Sequence, residues 1–148
     1  MKDLLISTHS GLRWLVLLFM VYAVFNAFSK WRFGKAYSGT DKLVNLLTMI
    51  LFHTQFLVGL LLYFFSDKVQ FNGNTMSNSM LRFFTMEHFL MMTAVFVLLT
   101  MGRKRAEASE TDKAKHRKYM MWYGICLVIV LAAIPWPFRT ELAGAWFR

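Results

Sequence analysis

Cysteine, proline and acidic side chains are all scarce in this chain: one Cys, two Pro, and eight Asp and Glu against seventeen Lys and Arg in 148 residues. The lone Cys126 has no partner for an internal disulfide, and without a CxxCH motif there is no attachment point for a covalent c-type haem. Its place inside an apolar run reads as a small buried side chain. Two prolines, both close to residue 136, leave the rest of the chain free of the strongest helix breaker. No nucleophile–base arrangement and no phosphate-binding loop stands out, so any catalysis falls to redox chemistry.

Apolar residues are abundant instead, at 57% of the chain, where just under half is usual for a soluble domain. They fall in four blocks, Trp14–Phe28, Leu43–Phe65, Phe83–Met101 and Tyr119–Phe138, each near or above the length that crosses a bilayer once Leu4–Ile6 join the first. The pattern predicts an all-α integral membrane protein of one domain, an up-down four-helix bundle with helices at about residues 4–29, 42–65, 81–101 and 112–138. The first block does not read as a cleaved leader, because its positive cluster follows the apolar run and no A-x-A-like site is evident.

The net charge of +9 is unevenly placed. Lys30, Arg32, Lys35 and Lys42 separate the first two blocks, and Arg103, Lys104, Arg105, Lys113, Lys115, Arg117 and Lys118 separate the last two, eleven of the seventeen basic residues. This positive-inside asymmetry predicts a multi-pass protein of the bacterial inner membrane, with both basic loops cytoplasmic and both termini periplasmic. It also makes the lipid bilayer, not nucleic acid, the partner of the chain's charge. Asp41 reads as an N-cap or first-turn acid of the second helix, and Ser109 or Thr111 as the cap of the fourth. The segment Ser66–Met80, rich in Asn and Ser, reads as an irregular outer connection.

Polar groups inside the apolar blocks carry the functional reading, because a carboxylate or imidazole there is costly unless partnered or ligated. Glu87 and His88 lie side by side in the third block, with Arg82 before them; His9 and Arg13 lie four apart in the first, and His53 and Gln55 near the middle of the second. A helical rise of about 1.5 Å per residue sets His9 roughly 8 Å below the outer surface, His88 roughly 8–10 Å and His53 roughly 18 Å. Imidazoles on facing helices of a bundle are the ligands that a b-type haem takes. Depth favours His88 with either His53 or His9, leaning to His53, the deepest. Arg13 and Arg82 would meet propionates, and Glu87 or Gln55 would hold the free ring N–H of a ligand histidine.

Plainer roles compete with each of these. His9 would serve as an interfacial histidine wetted by headgroups, His53 as hydrogen-bonding glue between helices, and Glu87 as an ion-pair partner of Arg13 or Arg82. His116, in the run KHRK, reads as a solvated surface residue. Met86, Met91 and Met92 near His88 would also suit copper or a His/Met-ligated haem.

HSGLRW in the first helix, HTQ and GLLLY in the second, RFFTMEH in the third and IPWPF at the end of the fourth resemble a family of small bacterial integral membrane proteins labelled cytochrome b, of Bacteroidetes type. The similarity spans nearly the whole chain. The family is in turn broadly similar to four-helix cytochromes of the b561 type, which implies haem b held by histidines and electron exchange with a quinone or a partner redox subunit. The chain departs from the two-haem members, since His116 sits at a helix mouth, poorly matched in depth to His53, which puts a second haem in doubt. The alternatives from other classes are a haem-free membrane subunit or scaffold with an intramembrane polar network, and a copper or small-molecule carrier.

Overall fold

The computed structural model describes residues 1–142 and 144–146. Four helices account for most of them: α1 (Lys2–Arg32), α2 (Gly39–Phe65), α3 (Ser79–Glu107) and α4 (Asp112–Ala133), followed by a single 3-10 turn at Thr140–Leu142. There is no strand among the described residues. The first three helices are long and apolar enough to cross a membrane.

The loops explain why the chain turns where it does. α1 stops at Arg32, where Gly34 adopts φ +62° and the Lys35 N–H reaches back to the Lys30 carbonyl at 3.0 Å. This is the left-handed glycine stop that L side chains resist. α2 then opens on a reciprocal capping box. Ser38, not Asp41, is the N-cap; its hydroxyl accepts from the Asp41 N–H while Asp41, in the first turn, accepts from the Ser38 N–H. Asp41 is also held by Lys30 and Asn26 of α1, so one buried carboxylate joins the two helices beside the turn. Thr111 caps α4 by accepting from the Ala114 N–H.

Pairs across α1 and α2 run antiparallel: Asn26 meets Asp41, His9 meets Gln55, and Lys2 meets Asp67 just beyond α2. α3 and α4 do the same, with Arg103 on Tyr119 and His88 on Ala133. The core comes from Val16, Met20 and Ala23 of α1, Phe52 of α2, Val95 and Leu99 of α3, and Tyr119, Tyr123, Cys126 and Val130 of α4. Leu18, Phe25, Leu57 and Val128 instead face outward, each more than half exposed. An exterior this apolar suits lipid better than water.

Several boundaries differ from those expected. α1 is longer than residues 4–29 at both ends. α3 runs on to Glu107, because the residues GRKRAE end the hydrophobic run without ending the helix; Arg, Lys, Ala and Glu are all good helix formers. α4 stops at Ala133, not at 138. Ile134 precedes Pro135 and takes an extended conformation, ψ 128°, since the proline ring disfavours the helical region for the residue before it. The apolar part of α4 is therefore shorter than a full membrane span.

α3 is not a uniform helix either. Residues Phe83–Glu87 form a π turn, the wider i→i+5 winding that interrupts α-helices as single turns, frequently at functional sites. One extra residue in a turn rotates everything after it by about 100° about the helix axis. The π turn is braced from outside: the Tyr63 hydroxyl donates to the Thr85 carbonyl at 2.8 Å, and the Thr85 side chain holds the backbone of Gln70 in the loop after α2.

Candidate functional site

A cavity of about 360 Å³ lies between the helices at the end of the bundle that holds the N-terminus and the loop after α2. That is within the range of small-molecule and cofactor pockets. Its wall is largely aromatic and aliphatic, with Phe52, Phe56, Tyr63, Phe84, Phe89 and Met92, and it carries a short set of polar groups: His9, Ser10 and Arg13 from α1, Gln55 from α2 and His88 from α3. Lys2, Asp67 and Lys68 line its rim, with Lys2 and Asp67 forming an ion pair from α1 to the loop after α2.

His9 and His88 meet in this cavity. Their ring centroids are 6.3 Å apart with planes at 72°. Their placement follows from local features of three helices. His88 is the first residue after the π turn, between Phe83 and Phe84, whose rings lie at 5.7 and 6.3 Å from its own. His88 Nδ1 lies 2.9 Å from the Ala133 carbonyl. A carbonyl only accepts, so Nδ1 carries the proton and the Nε2 lone pair is the ring's free ligand atom in the neutral form. His9 fits against α2 because position 59 is glycine: a Cβ there would sit 2.9 Å from His9 Cε1 and 3.3 Å from Nδ1.

Two polar atoms in this site are buried without a hydrogen-bond partner among the described residues, His9 Nδ1 and Gln55 Oε1. The other end of the Gln55 amide donates to the His9 carbonyl at 2.9 Å, so Gln55 grips the backbone of His9 and not its ring. Arg13 borders the cavity while donating to the carbonyls of Trp146, at 2.6 Å, and Ala145; its guanidinium lies 5.3 Å from the Trp14 ring centroid.

The remaining predicted site residues lie elsewhere. His53 does not border the cavity. It stacks on Phe96, centroids 4.1 Å apart, with Nε2 3.1 Å from the Thr100 hydroxyl. That hydroxyl donates to the Phe96 carbonyl, so it accepts from the imidazole and joins α2 to α3. The structure thus brings His88 to His9 and does not bring His53 to either. Glu87 and Arg82 pair with each other at 2.8 Å and are each about 40% exposed. The π winding is what sets residues five apart face to face. Neither residue borders the cavity.

His116, expected at the surface, is 1% exposed. Its ring packs edge-on against Tyr37, centroids 5.3 Å apart, and the adjacent Lys115 lies over the same Tyr37 ring while Arg117 is exposed. It belongs to a polar cluster at the opposite end of the bundle that residue-by-residue reading missed. There the hydroxyls of Tyr37 and Tyr119 donate to the same carboxylate oxygen of Glu107 at 2.6 and 2.5 Å, and Arg103 reaches both Glu107 and Tyr119. The missed signal is a spacing: residues 116, 119, 123, 126, 130 and 133 alternate steps of three and four, the stripe that a core-facing helix presents.

The chain matches no protein-family model, no curated protein and no solved structure.

Proposed function

We propose that this chain is a b-type cytochrome of the bacterial inner membrane, with one haem b between His9 and His88, relaying single electrons between the quinone pool or a partner subunit and an acceptor. One observation carries the reading: two imidazoles from different helices line one apolar cavity, with centroids 6.3 Å apart and planes at 72°. His9 and His88 are close enough that both imidazoles would hold the haem iron. The two unpartnered polar atoms also fit a site built for an occupant, and Gly59 leaves the room that the His9 ring takes beside α2.

Haem b supplies a one-electron couple; the chain's residues set where it sits and what surrounds it. The Ala133 carbonyl holds the His88 proton on Nδ1, which makes Nε2 the more basic ligand atom. Gln55 and Gly59 fix the backbone and ring of His9. The aromatic wall gives the cavity an apolar lining, and Arg13 and Lys68 bring positive charge to it, where acidic groups of a cofactor would find it. The basic loops at the opposite end support an orientation with that end in the cytoplasm and the cavity in the periplasmic half.

Absorption spectra of the purified protein, oxidised and dithionite-reduced, test this directly. The expected result is a low-spin b-type spectrum that His9→Ala and His88→Ala each abolish and that His53→Ala and His116→Ala retain. A colourless preparation from haem-replete cells, with no extractable haem, overturns the proposal. Loss of haem in His53→Ala with retention in His9→Ala would overturn the ligand pair.

A further inference from the structure

The end of α4 and its two prolines account for a hydrogen bond that the site depends on. A helix leaves its last four carbonyls without intrahelical partners. Here the Val130 carbonyl keeps the ordinary i→i+4 bond, and the carbonyls of residues 131–133 each take a different side-chain donor. The Val130 carbonyl accepts from the Ile134 N–H at 3.1 Å. The Leu131 carbonyl accepts from the Trp136 indole N–H at 2.9 Å, and the Ala132 carbonyl from the Arg139 guanidinium at 3.2 Å. The Ala133 carbonyl accepts from His88 Nδ1–H at 2.9 Å.

In a continuing helix the donors for residues 131, 132 and 133 would be the backbone N–H groups of residues 135, 136 and 137. Positions 135 and 137 are prolines and have no N–H to give. Pro135 also forces Ile134 into its extended conformation, which stops the helix one residue after the carbonyl in question. Removing Pro135 alone would let the helix run on, yet Pro137 would still withhold the donor that Ala133 would otherwise meet. Removing Pro137 alone would leave the helix broken at 134. Either proline is enough to keep the Ala133 carbonyl out of the helix.

We infer that Pro135 and Pro137 are positioning residues for His88: together they reserve the Ala133 carbonyl for the His88 Nδ1–H and so present Nε2 as the ligand atom. This rests on the proposed haem reading for its purpose, but not for its geometry. The carbonyl sets the tautomer before any cofactor arrives, so no proton has to move between the ring nitrogens when a metal binds. The Nδ1–H···O=C bond also makes the imidazole a stronger donor to the metal. Its loss would therefore weaken the hold on the oxidised iron and raise the midpoint potential.

Nitrogen-15 NMR of histidine-labelled, haem-free protein in detergent micelles reads the tautomer directly, with the His88 signals assigned by their absence in His88→Gln. The wild-type ring is expected as the Nδ1–H form, and Pro137→Ala should leave it so. In Pro135→Ala/Pro137→Ala, α4 gains about one turn by circular dichroism, and the backbone N–H created at position 137 takes the Ala133 carbonyl. The His88 signals should then move to the averaged positions of an untethered ring. Haem-loaded double variant should show a more positive midpoint potential than wild type. An Nε2–H form in the wild type overturns the inference, whether or not the double variant folds. So does a folded double variant with an unchanged tautomer, or a Pro137→Ala protein that shifts as far as the double. A colourless protein with an Nδ1–H His88 sinks the haem proposal and leaves the proline inference standing.

Discussion

Gly59→Ala isolates the contribution of His9 better than removing His9 does. The added methyl would lie 2.9 Å from His9 Cε1, against an optimum of about 3.5–4.0 Å for two carbons. The ring must then retreat by roughly 0.6–1 Å to restore ordinary contact. It cannot do so by shifting α1, because Gln55, one turn before Gly59, holds the His9 carbonyl at 2.9 Å. The ring itself has to rotate, and His88 waits on its other side at 6.3 Å. Such overpacking costs about 1–3 kcal/mol, while alanine returns about 1 kcal/mol of helix propensity. Overall stability should therefore fall by no more than about 2 kcal/mol. Haem affinity should carry the strain of ligand displacement, a loss of about 5- to 150-fold. Haem titration of the apoprotein, followed by absorbance and electron paramagnetic resonance, should show weaker binding and a growing high-spin fraction. Gly11→Ala and Gly124→Ala are the controls, since nothing lies within 4 Å of a Cβ at either position. If Gly59→Ala takes up haem with the affinity and spin state of Gly11→Ala, His9 is not a ligand in the pose described.

Other perturbations separate the roles of the polar residues. Glu87→Gln should change stability by less than about 1 kcal/mol and leave the haem spectrum intact, because its pair with Arg82 is solvent-exposed; loss of haem in this variant would refute that placement. Gln55→Leu should cost about 0.6–1.7 kcal/mol in a detergent unfolding titration, the value of one interhelical hydrogen bond in a membrane. Glu107→Ala leaves two tyrosine hydroxyls and Arg103 without their shared acceptor, and should lower stability by about 2–3 kcal/mol in thermal unfolding without altering haem uptake. A spectral change in that variant would show that the two ends of the bundle are coupled.

Much of the architecture was legible because hydrophobic periodicity and helix formation coincide over most of the chain. Where they part, sequence reading went astray. The residues GRKRAE are too polar to be counted in an apolar block, but nothing in them breaks a helix, so α3 continues to Glu107. The stretch from Ile134 to Phe138 is apolar enough to extend the fourth block; its prolines were legible as helix breakers, and Pro135 sets the stop a few residues early, at Ala133. Hydropathy reports where a segment is comfortable, and backbone chemistry decides where it stops being helical. Thr111 was legible as a cap of the fourth helix, whereas Ser38 marks its end by a reciprocal hydrogen bond with Asp41 that composition does not weigh.

The candidate site shows why depth alone does not identify which histidines meet. Counting rise along each helix set His9 and His88 at nearly the same level, about 8–10 Å from the outer side, and the structure brings those two rings together. Depth is one of two coordinates, however, and the other is direction around the helix axis. His53 is at a reachable height, yet it turns toward Phe96 and Thr100 instead of the cavity. A helical wheel would have recovered His116 from its three-and-four spacing with Tyr119 and Tyr123. It would not have recovered His88, since the π turn at Phe83–Glu87 rotates the rest of α3 by about 100° from where a regular helix would carry it. The same turn pairs Arg82 with Glu87 and so removes from the site the carboxylate that sequence proximity had assigned to it. A local winding defect therefore sends two adjacent polar residues in different directions, Glu87 to an exposed arginine and His88 to the interior. No reading of side-chain type could separate them, because the information lies in backbone geometry.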